Sequence, residues 1–378
     1  MGAIRVAVLG GGNGAFAAAA DLSLRGHDVR LLEVPELQQS IAPVRDAGGI
    51  LLENANIAEI GSGHARIALV TTDPKAALSG AELVLYLVPA FAERRFTELV
   101  APYFQPDQLV VLFCGSVGGA LALAAQMQQA GLPIPRIAET EALVYAALKS
   151  GPASVRVMGR KAGVGVSALP AGNVGLALDQ LRPLYPDFTP RSDVLETGLR
   201  NTNPIAHVPS MVLNAGRIAP TVPPYSFYKE GFPAPVGAVA EVADAERVRV
   251  AQAFGYAVAT TRETMLAWYG DQGAHGETLA EVFSTNPPFQ TTKAPQTLEH
   301  RFLTEDVPFG FVPFEALGEI AGVATPAISA LITLASLLLG RDLRANGRNR
   351  DRLGVRNLSM GEIRQLIRGG EPSGQGGR

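Results

Sequence analysis

The run Ile4-Arg5-Val6-Ala7-Val8-Leu9, followed at once by Gly10-Gly11-Gly12-Asn13-Gly14-Ala15, decides how the first half of this chain is read. A short apolar stretch bounded by glycines reads as a buried strand, and Gly10-x-Gly12-x-x-Ala15 then opens a helical pattern. Each small residue has a separate task. Gly10 permits a tight turn, Gly12 removes the side chain that would block a pyrophosphate, and Ala15 lets helix and sheet pack closely, with Asn13 and Gly14 completing the loop. The free N–H groups and positive dipole end of the helix suit a phosphate.

Working outward, the second strand Val29–Leu32 ends in Glu33. That carboxylate lies about 20 residues past the glycines, where it can accept hydrogen bonds from ribose hydroxyls. Strand-like runs at Ala68–Val70, Leu83–Leu87 and Leu109–Phe113 alternate with helical patterns at Ala15–Arg25, Phe91–Pro102 and Ala120–Gly131. This alternation predicts an α/β Rossmann-type N-terminal domain, doubly wound with a mainly parallel sheet. Ser154–Gly159 and Val164–Leu169 are expected to finish that sheet. Val88 and Pro89, after the fourth strand, are expected to form a loop over the cofactor. An acidic Glu33 repels a 2′-phosphate, and Val34, Pro35 and Glu36 bring no cation to hold one, so NAD is favoured, with NADP the open alternative.

The length of 378 residues suggests two domains at roughly 150 residues each. After about Glu196 the pattern turns helical, as in Ala234–Phe254, Thr261–Gly270 and Pro313–Ala321. The expected division is a dinucleotide-binding domain over 1–196, an all-α substrate and catalytic domain over 197–368, and a mobile Gly/Ser/Pro-rich tail over 369–378. Thirty-two basic against 35 acidic residues give a net charge of −3, which argues against nucleic acid as a partner. One cysteine, Cys114, and no zinc-like spacing of Cys and His lead us to expect no disulfide, no metal and a reducing cytoplasm. The uncharged stretch Val323–Leu339 is short for the roughly 20 residues of a membrane span, so it is expected to be a buried core helix.

Hydride transfer to C=O or C=N needs a nearby proton donor, and histidine suits that task near neutral pH. His27 and His64 fall in loop-like sequence, whereas His207 sits in Asn201-Thr202-Asn203-Pro204-Ile205-Ala206-His207-Val208-Pro209. Asn203 and His207, four apart, would share one helical face. From these residues alone, a capping asparagine with an ordinary buried histidine is at least as good a reading. Cys114 has no evident neighbouring cation and is not expected to be a nucleophile. Asp244, Glu246 and Arg247 read as a charged helix face.

The His207 segment, the run Thr304-Glu305-Asp306-Val307-Pro308-Phe309-Gly310 and the stretch Glu241 to Arg247 together resemble the octopine/nopaline (opine) dehydrogenase family, over about residues 4 to 366. The resemblance implies reductive condensation of an amino acid or other amine with a 2-oxo acid, or the reverse oxidation, using NADH or NADPH. It makes His207 the catalytic histidine and Asp306 its carboxylate partner, gives Arg301 the oxo-acid carboxylate, and sets Asn203 beside ring or substrate. Glu139-Thr140-Glu141 and Tyr145 resemble a family segment near the cofactor. Two departures bear on the substrate pair: Glu93 stands where the family often has histidine, and Phe113-Cys114-Gly115 replaces an Asn-Pro-Gly. The alternatives are a ketopantoate-reductase-like hydroxyacid enzyme, which would need a catalytic lysine of which only Lys229 and Lys293 are available after residue 200, and a non-enzymatic dinucleotide sensor. The apolar C-terminal helices are a candidate homodimer surface.

Overall fold

A computed structural model describes residues 2–55 and 57–369. Residues 370–378 of the expected tail lie outside the described residues; a Cβ on Gly369 would lie 3.1 Å from Pro170. The chain forms two compact units. The first runs to Thr197 and takes the chain back at Arg364; the second is Gly198–Ile363.

Twelve strands are described in the first unit: β1 (Arg5–Leu9), β2 (Asp28–Leu32), β3 (Gly49–Asn54), β4 (Gly63–Arg66), β5 (Leu69–Thr71), β6 (Leu83–Tyr86), β7 (Leu109–Leu112), β8 (Arg136–Thr140), β9 (Tyr145–Gly151), β10 (Ser154–Arg160), β11 (Gly165–Leu169) and β12 (Thr189–Pro190). Eight form one sheet in the order β12-β11-β8-β7-β6-β1-β2-β5, parallel except where β11 meets β8. The order reverses at β1, so the loops after β1 and β6 flank the crevice where α/β sheets bind ligands. β1, β6 and β7 are apolar because helices cover both faces of such a sheet.

The expectation that Ser154–Gly159 completes this sheet is corrected. β10 pairs instead with β3 and β9 in a separate four-stranded sheet, β4-β3-β10-β9. That sheet explains the first helix, Asn13–Leu24. Its sequence Ala-Phe-Ala-Ala-Ala-Ala-Asp-Leu has no polar face, and Ala15 to Leu22 are all buried. One side meets β1 and β2, the other β3, β4, β9 and β10, and alanine lets two sheets approach a single helix.

Helices make up the regular structure of the second unit, which also has an isolated bridge between Ser226 and Lys293. The expected charged helix face is buried instead: Asp244 is 4% exposed, Glu246 1% and Arg247 0%. Arg247 donates to Asp244, to the Leu199 carbonyl and to the Ala259 carbonyl. Asp244 accepts from Thr261, and Glu246 accepts the N–H groups of Ala327 and Ile328 at the start of the Pro326–Leu339 helix. Charges satisfied in this way can be buried, because the guanidinium and both carboxylates are hydrogen-bonded. The Pro326–Leu339 helix, expected to be a buried core helix, is buried along one stripe. Ile328, Leu331, Ile332 and Ala335 form its buried stripe, while Leu334, Leu337 and Leu338 stay exposed, Leu337 by 73%. Among the described residues no helix is long and apolar enough to cross a membrane, and no group of three or more His, Cys, Asp or Glu is placed to hold a metal ion.

The double packing of the first helix sets a limit that can be measured. Ala18→Leu should cost about 1–3 kcal/mol by overpacking, seen as a fall of several degrees in Tm, whereas Leu176→Ala at an exposed site should leave Tm nearly unchanged.

Candidate active site

The glycine loop forms as its sequence requires. Gly10 has φ of +110°, and a Cβ there would lie 2.9 Å from the Leu87 carbonyl and from Val88 Cγ1. Only a glycine lets the β1 loop close on the β6 loop. Gly12 caps the first helix in an extended conformation, and a Cβ on it would meet nothing within 4 Å. The space before the helix N-terminus is therefore open, and the residues there fit the phosphates of a dinucleotide. A Cβ on Gly14 would lie 3.2 Å from Leu143 Cδ2, and Ala15 is fully buried. Val88 is largely buried against Gly10, and Pro89 is exposed and caps the Ala90–Val100 helix.

Glu33 stands at the end of β2 with its carboxylate turned toward the loop. It accepts the Val34 N–H at 2.8 Å and the Ser40 hydroxyl at 3.3 Å, together with the Gly11 N–H. Burial pushes its carboxyl up, against those hydrogen bonds and the Lys149 ammonium, which pull it down. Asn13 accepts the Lys149 backbone N–H at 3.0 Å, so its side chain ties the loop to β9.

Glu139, Glu141 and Tyr145 have structural work. Glu139 is fully buried and accepts the Ala120 N–H at the start of the Gly119–Gln129 helix. Glu141 forms a two-pronged pair with Arg191, both bonds at 2.8 Å. Tyr145 donates to buried Asp21 at 2.7 Å, and burial pushes its hydroxyl well above the usual range. Glu93 is buried. Lys161 lies within electrostatic range of Cys114, a cation that local sequence did not reveal.

In the second unit the Asn203–Leu213 helix carries His207, which is 7% exposed. Asp306 is the N-cap of the next segment, Val307–Phe311, which forms one π-helical turn. Single π turns are frequent at functional sites because they re-aim neighbouring side chains. A Cβ on Gly310 would clash with Pro204 Cγ, so only a glycine there lets the two segments come this close. This close approach brings Asp306 Oδ2 within 2.6 Å of His207 Nδ1, although the two residues are 99 apart in sequence. A carboxylate only accepts, so Nδ1 carries the proton.

The other ring nitrogen, Nε2, lies 2.9 Å from the Tyr228 hydroxyl, a partner that the sequence did not reveal. Burial pushes that hydroxyl above its ordinary range, with Asp306 adding to the effect. Phe302 stacks on the imidazole with ring centroids 3.8 Å apart and planes 15° from parallel, and Phe227 flanks it. His300 caps the Arg301–Thr304 helix through the Phe302 N–H, and burial, with help from Arg301 and His207, holds its ring below the usual histidine range. Asn203 stands exposed one turn before His207. Arg301 is 60% exposed, 3.6 Å from Glu305, and is not drawn into the dyad. Lys229 and Lys293 are both exposed.

Residues 190–339 match the model of the NAD/NADP octopine/nopaline dehydrogenase α-helical domain. An opine dehydrogenase of Arthrobacter sp. (strain 1C) is 34% identical over 96% of this chain and 98% of its own. Among solved structures, octopine dehydrogenase with NADH and L-arginine superposes with a TM-score of 0.80 at 23% identity, over 97% of this chain and 98% of that one. Yersinopine dehydrogenase with NADP+ gives 0.71 at 15% identity, over 97% and 98%. A Rossmann-type unit with an open glycine loop, a helical unit with a buried histidine–carboxylate pair, and this identity over nearly the full length lead to one conclusion: the chain belongs to the opine dehydrogenase family, and it is an NAD(P)-dependent dehydrogenase acting on the CH–NH bond of an amino-acid derivative.

Proposed function

We propose that this chain joins a 2-oxo acid to an amino acid or other amine in the cytoplasm, with His207 and Asp306 as its acid–base pair and NAD as its preferred dinucleotide. The observation that carries the reading is the 2.6 Å contact between His207 Nδ1 and Asp306 inside an aromatic enclosure. When bound, the dinucleotide supplies or accepts the hydride. In the reductive direction His207 gives the proton on Nε2 to the nitrogen of the substrate C=N bond, and in the oxidative direction it takes that proton back. Asp306 fixes the ring orientation and steadies the imidazolium. Tyr228 holds Nε2 in place until substrate takes over its position. Arg301, exposed and only loosely paired, suits the oxo-acid carboxylate through two parallel hydrogen bonds, and Asn203 orients the substrate from the helix start.

Glu33 supports the NAD preference. Its buried carboxylate would meet a 2′-phosphate as a like charge, while it retains acceptor capacity for a ribose hydroxyl. The exposed Leu334, Leu337 and Leu338 support a homodimer contact on that face, and sedimentation velocity should then give twice the chain mass, a monomer mass discarding it.

Crossing a panel of 2-oxo acids with amino acids and following NADH absorbance tests the reaction. NADH should be consumed only when both partners are present, and faster than NADPH; consumption with oxo acid alone would favour simple keto-acid reduction. In the same assay His207→Ala should lower kcat by about 10²–10⁴ with the Kd for NADH nearly unchanged. Gly310→Ala, which forces Pro204 and the Asp306 segment apart, should lower kcat in the same direction. Full activity in the His207 variant would remove the dyad from the mechanism.

A further inference from the structure

Lys149 lies on β9, in the small sheet, yet its ammonium reaches the glycine loop. Nζ is 3.3 Å from the Gly11 carbonyl and 3.4 Å from the Ser40 carbonyl, and it stands 3.8 Å above the centre of the Phe16 ring. Its backbone N–H donates to Asn13 Oδ1, which pins β9 against the first residue of the helix. Among the described residues Lys149 makes no ion pair; Glu33 acts on it only from a longer distance. The side chain is half-buried, so its charge has lost part of its hydration without gaining a counter-ion. Burial accordingly pushes the ammonium below the usual lysine range.

A cation that is partly desolvated, bonded only to carbonyls and a ring, and fixed beside an open helix N-terminus calls for an anion. We propose that Lys149 is a cofactor-positioning residue whose ammonium meets the pyrophosphate of the dinucleotide while it fixes the Gly11 carbonyl. The proposal rests on the reading of the Gly10–Ala15 loop as the dinucleotide site. It assigns a role to the second sheet, which presents this cation from a strand more than 100 residues beyond the loop. The pyrophosphate is favoured over a 2′-phosphate because the carbonyl held most closely belongs to the glycine loop, and because the carboxylate of Glu33 guards the ribose side.

Binding of NADH, NADPH, ADP-ribose and adenosine to the full chain, measured by calorimetry for wild type, Lys149→Met and Lys149→Arg, tests it. Lys149→Met should weaken NADH and ADP-ribose about tenfold or more, weaken NADPH by the same factor, and leave adenosine within twofold, with Lys149→Arg restoring most of the loss. Unchanged NADH affinity in Lys149→Met would overturn the proposal. Equal weakening of adenosine would overturn it in favour of a purely structural role, and a loss confined to NADPH would overturn it in favour of a 2′-phosphate contact. A wild-type chain that binds none of the dinucleotides would refute the loop reading itself, a result separate from all three.

Discussion

The close approach of Gly310 to Pro204 sets how the Asn203–Leu213 helix meets the π turn after Asp306. Proline at the start of the Asn203–Leu213 helix presents a flat apolar face, and a glycine in the π turn after Asp306 can lie directly on it. Any side chain at 310 would lever the turn outward. With the two segments in contact, the carboxylate of Asp306 and the imidazole of His207 meet at hydrogen-bond distance within a nearly dry enclosure of Phe227, Tyr228 and Phe302. Low local polarity strengthens that hydrogen bond and makes its loss costly, so the pair is a structural tie as well as the proposed acid–base pair.

The first unit is built on a comparable close approach. Gly10 closes on Leu87 and Val88, and the alanine-rich first helix is held between two sheets. The N-terminal end of that helix is consequently fixed from both sides, by β1 and β6 through the glycines and by β9 through Asn13 and Lys149. Preorganised N–H groups and charge spend less of the binding energy on ordering the site.

What could be read in the sequence follows how local each signal is. The apolar run into Gly10-x-Gly12-x-x-Ala15 and the acidic end of β2 lie within thirty residues of each other, so the strand, the loop and Glu33 were legible from spacing alone. The pairing of His207 with Asp306 was not local; it came from the resemblance of two distant segments to one family. The small sheet escaped notice because β3 and β10 are separated by about a hundred residues, and short strands carry no record of their partners. Arg247 looked like a solvated helix face because its acceptors are the carbonyls of Leu199 and Ala259, which no sequence pattern marks. Tyr228 and Lys149 failed to stand out for the same reason: a single tyrosine in an aromatic run and a single lysine on a strand acquire their meaning only from the groups that the fold brings to them.

The proposed chemistry turns on which nitrogen of His207 carries the proton. Asp306 requires a proton on Nδ1, which leaves the Nε2 lone pair to accept from Tyr228 and, in the proposed mechanism, to exchange a proton with substrate. Nitrogen-15 NMR of the imidazoles, with the His207 signals assigned by their loss in His207→Gln, reads this directly on the alkaline side of the ring's titration. The account predicts a protonated Nδ1 and a bare Nε2 in wild type, with that preference lost in Asp306→Ala. A neutral His207 ring protonated on Nε2, or a tautomer indifferent to the removal of Asp306, would contradict it.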